Sequence, residues 1–204
     1  RDEGVRCLGM EVSSHALSQG RVNAVRFDTA VFTNLTRDHL DYHGTLEAYG
    51  EAKAFLFRWP CLRHTIINVD DAFCRELAKR VAHTGLVVFS RTGPIALDAA
   101  WRSVEGETRQ LFARGVTAGP NGLNITFDGS WGPAKLRSRF VGDFNVENLL
   151  AVLATLLTSG VSMQEAIGAL ENCSAPPGRM ETITAPDRPL AIVDYAHTPD
   201  ALEK

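Results

Sequence analysis

The 204-residue chain has no apolar run long enough to cross a bilayer, and no basic stretch followed by an apolar one of the kind that marks a secretion signal. A cytoplasmic protein without a membrane partner is therefore expected. Cysteine is scarce: Cys7, Cys61, Cys74 and Cys173 are too scattered for a zinc site or a disulfide framework, and we expect buried, reduced thiols. Positive charge is not in excess either. With 21 Lys and Arg against 24 Asp and Glu, a net charge of −3 and no basic cluster, nothing points to nucleic acid. What is abundant is core-forming material, 45% hydrophobic against 22% charged residues, enough for one large domain or one and a half.

The most informative stretch is residues 29–57. Ala30, Val31 and Phe32 form a short apolar run, expected to be a central parallel strand. Beyond it Asn34, Arg37, Asp38, His39, Asp41 and His43 crowd into ten positions, where the carboxyl ends of parallel strands place ligands. A helix is expected from Thr45, with Leu46, Tyr49, Lys53, Leu56 and Phe57 on one face. A lysine on an inward stripe either snorkels to solvent or has a function, and periodicity leaves the two equally open.

Before that stretch, residues 5–12 (VRCLGMEV) read as a strand ending at Glu11, followed by Ser13, Ser14 and His15. One of the two serines is expected to cap a short helix, which leaves the other free to bind. By spacing alone, Gln19 and Arg21 are solvated loop residues. After it come an expected strand at 65–69, a helix at 71–81 with Phe73, Leu77 and Val81 inward, and a strand at 86–89. This alternation predicts a mostly parallel, doubly wound α/β sheet. From about 95 to 140 no helical period is sustained, and short alternating runs separated by turns such as Asn121-Gly122 predict an antiparallel extension of hairpins. A strongly apolar helix is expected from Asn145 to Gly160. A second opens with a capping box, Ser162 to Glu165, and ends near Asn172. Pro176-Pro177-Gly178 reads as a linker, followed by strands at 180–184 and 190–193 that end at Asp194, with His197 close by. Residue 1 is Arg, and the last residues, 198–204, read as a helix start with Thr198 as cap and Pro199 at the first helical position, so both ends look cut and the middle of a longer protein is expected.

Glu11, Asp38, His39, Asp41 and His43 are candidate ligands of a divalent metal, combining oxygen and imidazole donors, although such histidines as often only brace a loop. Unmodified Lys53 cannot be a ligand, because an ammonium group has donors only. If burial lowers its pKa, the neutral amine can add carbon dioxide to give a carbamate, which acts as a carboxylate on a long arm.

Six segments taken in order, residues 10–17 (MEVSSHAL), 33–44 (TNLTRDHLDYHG), 51–53 (EAK), 144–150 (FNVENLL), 178–181 (GRME) and 194–204 (DYAHTPDALEK), closely resemble the Mur ligases. Within that family the likeness is strongest to members that add the third amino acid to UDP-N-acetylmuramoyl-L-alanyl-D-glutamate. It weakens only through the hairpin region. The resemblance implies an ATP-binding central domain over residues 1–176 and the first strands of a Rossmann-like C-terminal domain over 177–204. It implies ATP-dependent amide-bond formation through an acyl phosphate, with meso-diaminopimelate favoured over L-lysine as the incoming diamino acid. It further implies that Glu11, His39 and carbamylated Lys53 hold Mg2+ in the catalytic centre. By the same motifs Ser13, Gln19 and Arg21 would contact the UDP-muramoyl dipeptide. Asn148 would read adenine, Arg179 would lie near the phosphates and Asp194 on the ribose. A monomer is the default expectation.

One departure stands out. The family's glycine-rich phosphate loop ends in Gly-Lys-Ser/Thr, and this sequence contains no Gly-Lys pair, so the 204 residues alone are expected not to turn over. Two other readings are a folylpolyglutamate-synthase-like ligase, against which the EVSSHAL and DYAHTPDALEK runs argue, and a non-catalytic nucleotide- or metal-binding module.

Overall fold

The computed structural model describes residues 4–81, 85–97, 101, 108–183, 189 and 191–196. In chain order the elements are α1 (Ser14–Ser18), β1 (Thr29–Phe32), α2 (Leu40–His43), α3 (Leu46–Ala54), β2 (His64–Asn68), α4 (Ala72–Arg80), β3 (Gly85–Ser90), β4 (Arg109–Gly119), β5 (Gly122–Gly129), β6 (Ala134–Ser138), α5 (Asn145–Thr158), α6 (Met163–Asn172), β7 (Glu181–Ile183) and β8 (Ala191–Val193). A short 3-10 turn, Phe55–Arg58, extends α3.

Strands β1 to β6 lie side by side in sequence order in one sheet. The first four are mutually parallel. At β4 the sheet changes character, pairing parallel with β3 on one side and antiparallel with β5 on the other, and β6 completes the antiparallel part. Both the α/β class and the antiparallel extension agree with the sequence pattern.

Burial on both faces explains the apolar runs of β2 and β3. Ile66, Val87 and Phe89 point into a core shared with Val146, Leu149, Leu150, Leu153 and Leu157 of α5 and Leu170 of α6. Their neighbours Ile67, Val69, Leu86 and Val88 point the other way, into a core with Leu17, Ala54, Phe57, Cys74 and Leu77. Helices thus cover both faces, and side-chain alternation along two strands divides the hydrophobic core in two.

The helix starts follow their caps. Thr45 accepts from the Ala48 N–H, Asp71 from the Cys74 N–H, and the capping box of Ser162 and Glu165 is complete in both directions.

Three expectations are corrected. Residues 5–12 join no sheet among the described residues, and Val5, Leu8 and Met10 are exposed. A strand needs a hydrogen-bonded neighbour to satisfy its backbone, and these residues have none. For the same reason β1 is parallel but lies at the sheet's edge instead of its centre, with Val31 exposed. Finally, only Cys74 is buried. Cys7 lies in the exposed N-terminal segment, Cys61 in the turn before β2 and Cys173 at the end of α6, and all three thiols face solvent.

Strands β7 and β8 form a separate antiparallel pair. Gly178 joins it to the preceding turn. Its N–H donates to Glu181 Oε2 and its carbonyl accepts from the Tyr195 N–H, both at 2.9 Å, and a Cβ at this position would lie 2.6 Å from the Tyr195 ring. His197, Thr198 and Pro199 lie outside the described residues.

Candidate functional site

Two short helices and the start of a third bring together residues that are far apart in sequence. Helix α1 is a single turn capped by Ser13, whose Oγ accepts from the Ala16 N–H at 3.1 Å. Helix α2 follows the polar loop after β1. Its first flanking residue, His39, has left-handed backbone (φ 53°, ψ 26°), and the Asp38 carboxylate holds that turn by accepting from the His39 N–H at 2.8 Å. Gly44, at φ 79°, then turns the chain into the Thr45 cap of α3.

The result is a cluster of rings. His15 of α1 stacks 4.2 Å from Tyr42, 4.9 Å from His39 and 5.5 Å from His43, measured between centroids. Tyr49 of α3 lies 5.3 Å from His43 and 5.8 Å from His39, and the Lys53 ammonium sits 5.0 Å over the Tyr49 ring. Lys53 is half-buried, so its stem packs while its tip stays on the aromatic face. Two hydrogen bonds tie α1 to α2: His43 Nε2 with Ser14 Oγ at 2.9 Å, and Gln19 Nε2 donating to the Tyr42 hydroxyl at 3.4 Å. Burial holds the His43 imidazole below its ordinary range, and the neighbouring His15 and His39, with Lys53, push the same way against the opposing pull of Asp41.

The sequence singled out Ser13, Gln19, His39 and Lys53, and all four lie in or beside this cluster. Glu11 and Arg21 are exposed on the segments flanking α1. Among the described residues no three His, Cys, Asp or Glu side chains converge on a metal position. Of the expected donors Glu11, His39 and Lys53, two belong to those residue types and the third is a lysine.

His15, Tyr42 and Tyr49 were not singled out as site residues by the sequence, and Ser14 only as one of two serines that could cap or bind. Their signal was compositional: three histidines and two tyrosines lie between residues 15 and 49, but their order along the chain does not show that the rings meet.

The expected nucleotide residues lie elsewhere. Asn148 is exposed in the first turn of α5 and donates to Asn145 Oδ1 at 3.1 Å, while Asn145 Nδ2 donates to the Val141 carbonyl at 2.7 Å. That turn is tied to the end of β2 by Asn68 Nδ2 donating to Glu147 Oε2 at 3.3 Å. Asp194 accepts from the Met180 N–H at 2.8 Å and the Ala196 N–H at 2.7 Å, and the Arg179 guanidinium lies 5.9 Å from the Tyr195 ring centre. Among the described residues no hydrogen bond or ion pair joins Asn148, Arg179 and Asp194 to one another or to the ring cluster. A groove of about 430 Å³ between the antiparallel strands and α6, lined by Lys135, Arg137 and Glu171 among others, contains none of these residues.

Comparison with known proteins matches this geometry to a family. The chain is 47% identical over 206 residues to the UDP-N-acetylmuramoyl-L-alanyl-D-glutamate–2,6-diaminopimelate ligase of Chromobacterium violaceum, covering 100% of this chain and 39% of that protein. It is 45% identical over 204 residues to the ligase of the same name from Pseudomonas aeruginosa, again covering 100% of this chain and 39% of the relative. A solved structure of a UDP-N-acetylmuramoyl-L-alanyl-D-glutamate–2,6-diaminopimelate ligase superposes with a TM-score of 0.76 at 36% identity, over 94% of this chain and 37% of that one. The chain thus spans about two fifths of the length of these relatives. The Mur ligase middle domain model matches residues 1–156, and the chain belongs to that family.

Proposed function

We propose that this chain is the central portion of an ATP-dependent ligase that adds meso-diaminopimelate to UDP-N-acetylmuramoyl-L-alanyl-D-glutamate in the cytoplasm, acting as a monomer. The observation that carries this reading is identity of 45–47% running through the whole chain to ligases named for that reaction. In the proposed chemistry the γ-phosphoryl group of ATP passes to the side-chain carboxylate of the terminal glutamyl residue, giving an acyl phosphate and ADP. The amine of the diamino acid then attacks the acyl carbon, forming the amide and releasing phosphate.

Residues 1–176 would form most of the nucleotide-binding domain and 177–204 the start of the next. Two of the three expected donors suit magnesium: Glu11 offers carboxylate oxygens and Lys53, once carbamylated, further oxygens, while His39 would add an imidazole nitrogen. When bound there, the ion would supply positive charge against the phosphates during transfer. Lys53, half-buried on α3 with its amine 5.0 Å over the Tyr49 ring, is the residue that would carry the carbamate. Ser13, Gln19 and Arg21 would hold the muramoyl dipeptide, Asn148 the adenine, Arg179 the phosphates and Asp194 the ribose. Both Asp194 oxygens now accept backbone N–H bonds and each keeps a second lone pair, so a ribose hydroxyl could share them.

The test uses the full-length protein that contains this chain. Supplied with the muramoyl dipeptide, ATP, Mg2+ and meso-diaminopimelate, it should release ADP and phosphate in step with tripeptide product, and turn over L-lysine far more slowly. Absence of diamino-acid-dependent ADP release would refute the reading. The isolated 204 residues, which contain no Gly-Lys pair, should not turn over.

A further inference from the structure

Helix α1 has five residues, too few to fix its own direction by internal hydrogen bonds, so its orientation must come from what it touches. Leu17 is buried in the core and anchors its middle. At its first turn Ser14 is only 1% exposed, and its hydroxyl lies 2.9 Å from His43 Nε2. At its far end the Gln19–Tyr42 contact is longer, at 3.4 Å, and exposed. His43 is the last residue of α2 and two residues before the cap of α3, the helix that carries Lys53. Of the two hydrogen bonds that span the arms of the cluster, the Ser14–His43 bond is the shorter and the more buried. On one side are Ser13, Gln19 and Arg21, and on the other His39 and Lys53.

We propose that the Ser14–His43 hydrogen bond is a positioning contact that holds α1 in register with α2 and α3 and so sets the affinity for the nucleotide-linked dipeptide, without taking part in phosphoryl transfer. The inference rests on the function proposed above. Neither residue is expected to touch a reacting atom, since Ser14 is buried and its oxygen is already engaged.

The experiment compares Ser14→Ala, His43→Phe, His43→Gln and the double variant Ser14→Ala/His43→Phe in the full-length protein. Binding of UDP-N-acetylmuramoyl-L-alanyl-D-glutamate is measured by calorimetry without ATP or metal, alongside KM for each substrate and kcat. Ser14→Ala and His43→Phe should each weaken dipeptide binding about tenfold, as expected where a buried polar group loses its partner. KM for ATP should stay within about twofold, and the double variant should be no weaker than the weaker single one, because both remove the same bond. His43→Gln, which can still reach the serine, should recover most of the loss. If His43→Phe lowers the melting temperature, Ser14→Ala, which removes one oxygen atom, carries the test. Unchanged dipeptide binding in Ser14→Ala, equal losses for ATP and dipeptide, or multiplying losses in the double variant would each overturn the positioning role. A parent protein that does not bind the dipeptide would overturn the proposed function itself and this inference with it.

Discussion

Replacing Gly50 with alanine sets two effects of opposite sign against each other at a point next to Lys53. Gly50 lies inside α3, where glycine costs about 1 kcal/mol relative to alanine, so on helix propensity alone the change should stabilise. The site is buried, however, and a Cβ there would come within 2.5 Å of Phe73 Cε2, 2.7 Å of Phe73 Cζ and 3.0 Å of Leu35 Cδ2. Both neighbours are partly buried side chains that would have to shift. The Phe73 ring packs 5.8 Å from that of Phe32, and the Leu35 N–H is held by Asp71 Oδ2 at 3.0 Å. Overpacking of this kind costs roughly 1–3 kcal/mol, and contacts this short put it in the upper part of that range. The net expectation is a loss of about 1–2 kcal/mol after the helix gain is subtracted. Urea unfolding followed by tryptophan fluorescence measures it, with Trp59 as a local reporter: it is 8% exposed, and its Nε1 donates to the Val25 carbonyl at 2.9 Å. In a Phe73→Ala background the obstructing ring is gone, and Gly50→Ala should become stabilising by up to about 1 kcal/mol. A neutral or stabilising effect in the parent, or the same loss in both backgrounds, would refute the packing argument.

The acidic side of the stability profile should show Glu51. Its carboxylate is clasped by Arg80 at 2.6 and 3.0 Å and by Arg58 at 3.3 Å, and the Arg80 hydrogen bonds hold its pKa below the ordinary value of 4.5. Because the folded state takes up this proton less readily than the unfolded chain, the contribution is complete above about pH 4.5 and is lost as pH falls through the lowered value. The group is half exposed, so Glu51→Gln should cost only about 0.5 kcal/mol at pH 7, a gap that closes in acid and is measured by urea unfolding at a series of pH values. A thiol-reactive dye should label Cys7, Cys61 and Cys173 quickly and Cys74 only after denaturation, since burial pushes the Cys74 thiol strongly up and keeps it from ionising. His39→Ala should slow acyl-phosphate formation more than His43→Ala, and equal losses in rapid-quench assays would show that the roles are misassigned. Finally, ¹³C-bicarbonate should give a carbamate resonance in the full-length protein that Lys53→Arg abolishes; the same signal in both proteins would rule out Lys53 as the modified group.

Local signals were read from the sequence with little loss. Ser162 and Glu165 do in the structure what their position before an apolar period suggested, because capping is decided within four residues, and the helices expected from Thr45 and at 71–81 open with Thr45 and Asp71 as their caps. The hairpins were legible for a similar reason, since alternation is contained in the pair itself, although the turn falls one residue earlier than expected, at Pro120-Asn121, with Gly122 already paired to Gly119. What failed depended on a partner. Residues 5–12 have strand composition, but strand formation requires a neighbour that composition cannot supply. The ring cluster was invisible for the same reason: Ser14 and His43 are 29 residues apart, and only the packing of α1 against α3 brings them together.

The two halves of the proposed site hang from opposite faces of one sheet. The ring cluster grows from α1, α2 and α3, and both α1 and α3 pack into the core that contains Ile67, Leu86 and Val88. Asn145 and Asn148 grow from α5, on the core that contains Ile66, Val87 and Phe89. Adjacent residues of β2 therefore face different halves, and the β2 chain passes between them. Just beyond its carboxyl end the Asp70 side chain accepts from Ser90 Oγ at 2.7 Å and from the Arg91 N–H at 2.6 Å, which fastens the β2 and β3 ends to each other. Asp71 ties the same end to the loop after β1 through Leu35, and Asn68 ties it to α5 through Glu147. Three consecutive strand ends and the first turn of α5 are thus joined by polar contacts, so the separation between the helix that carries Lys53 and the one that carries Asn148 is set by the sheet and not by a loop. In a doubly wound sheet ligands lie beyond the carboxyl ends of the strands. The hydrogen bonds of Asn68, Asp70 and Asp71 fasten that edge, where the proposed function would seat the phosphates of the nucleotide.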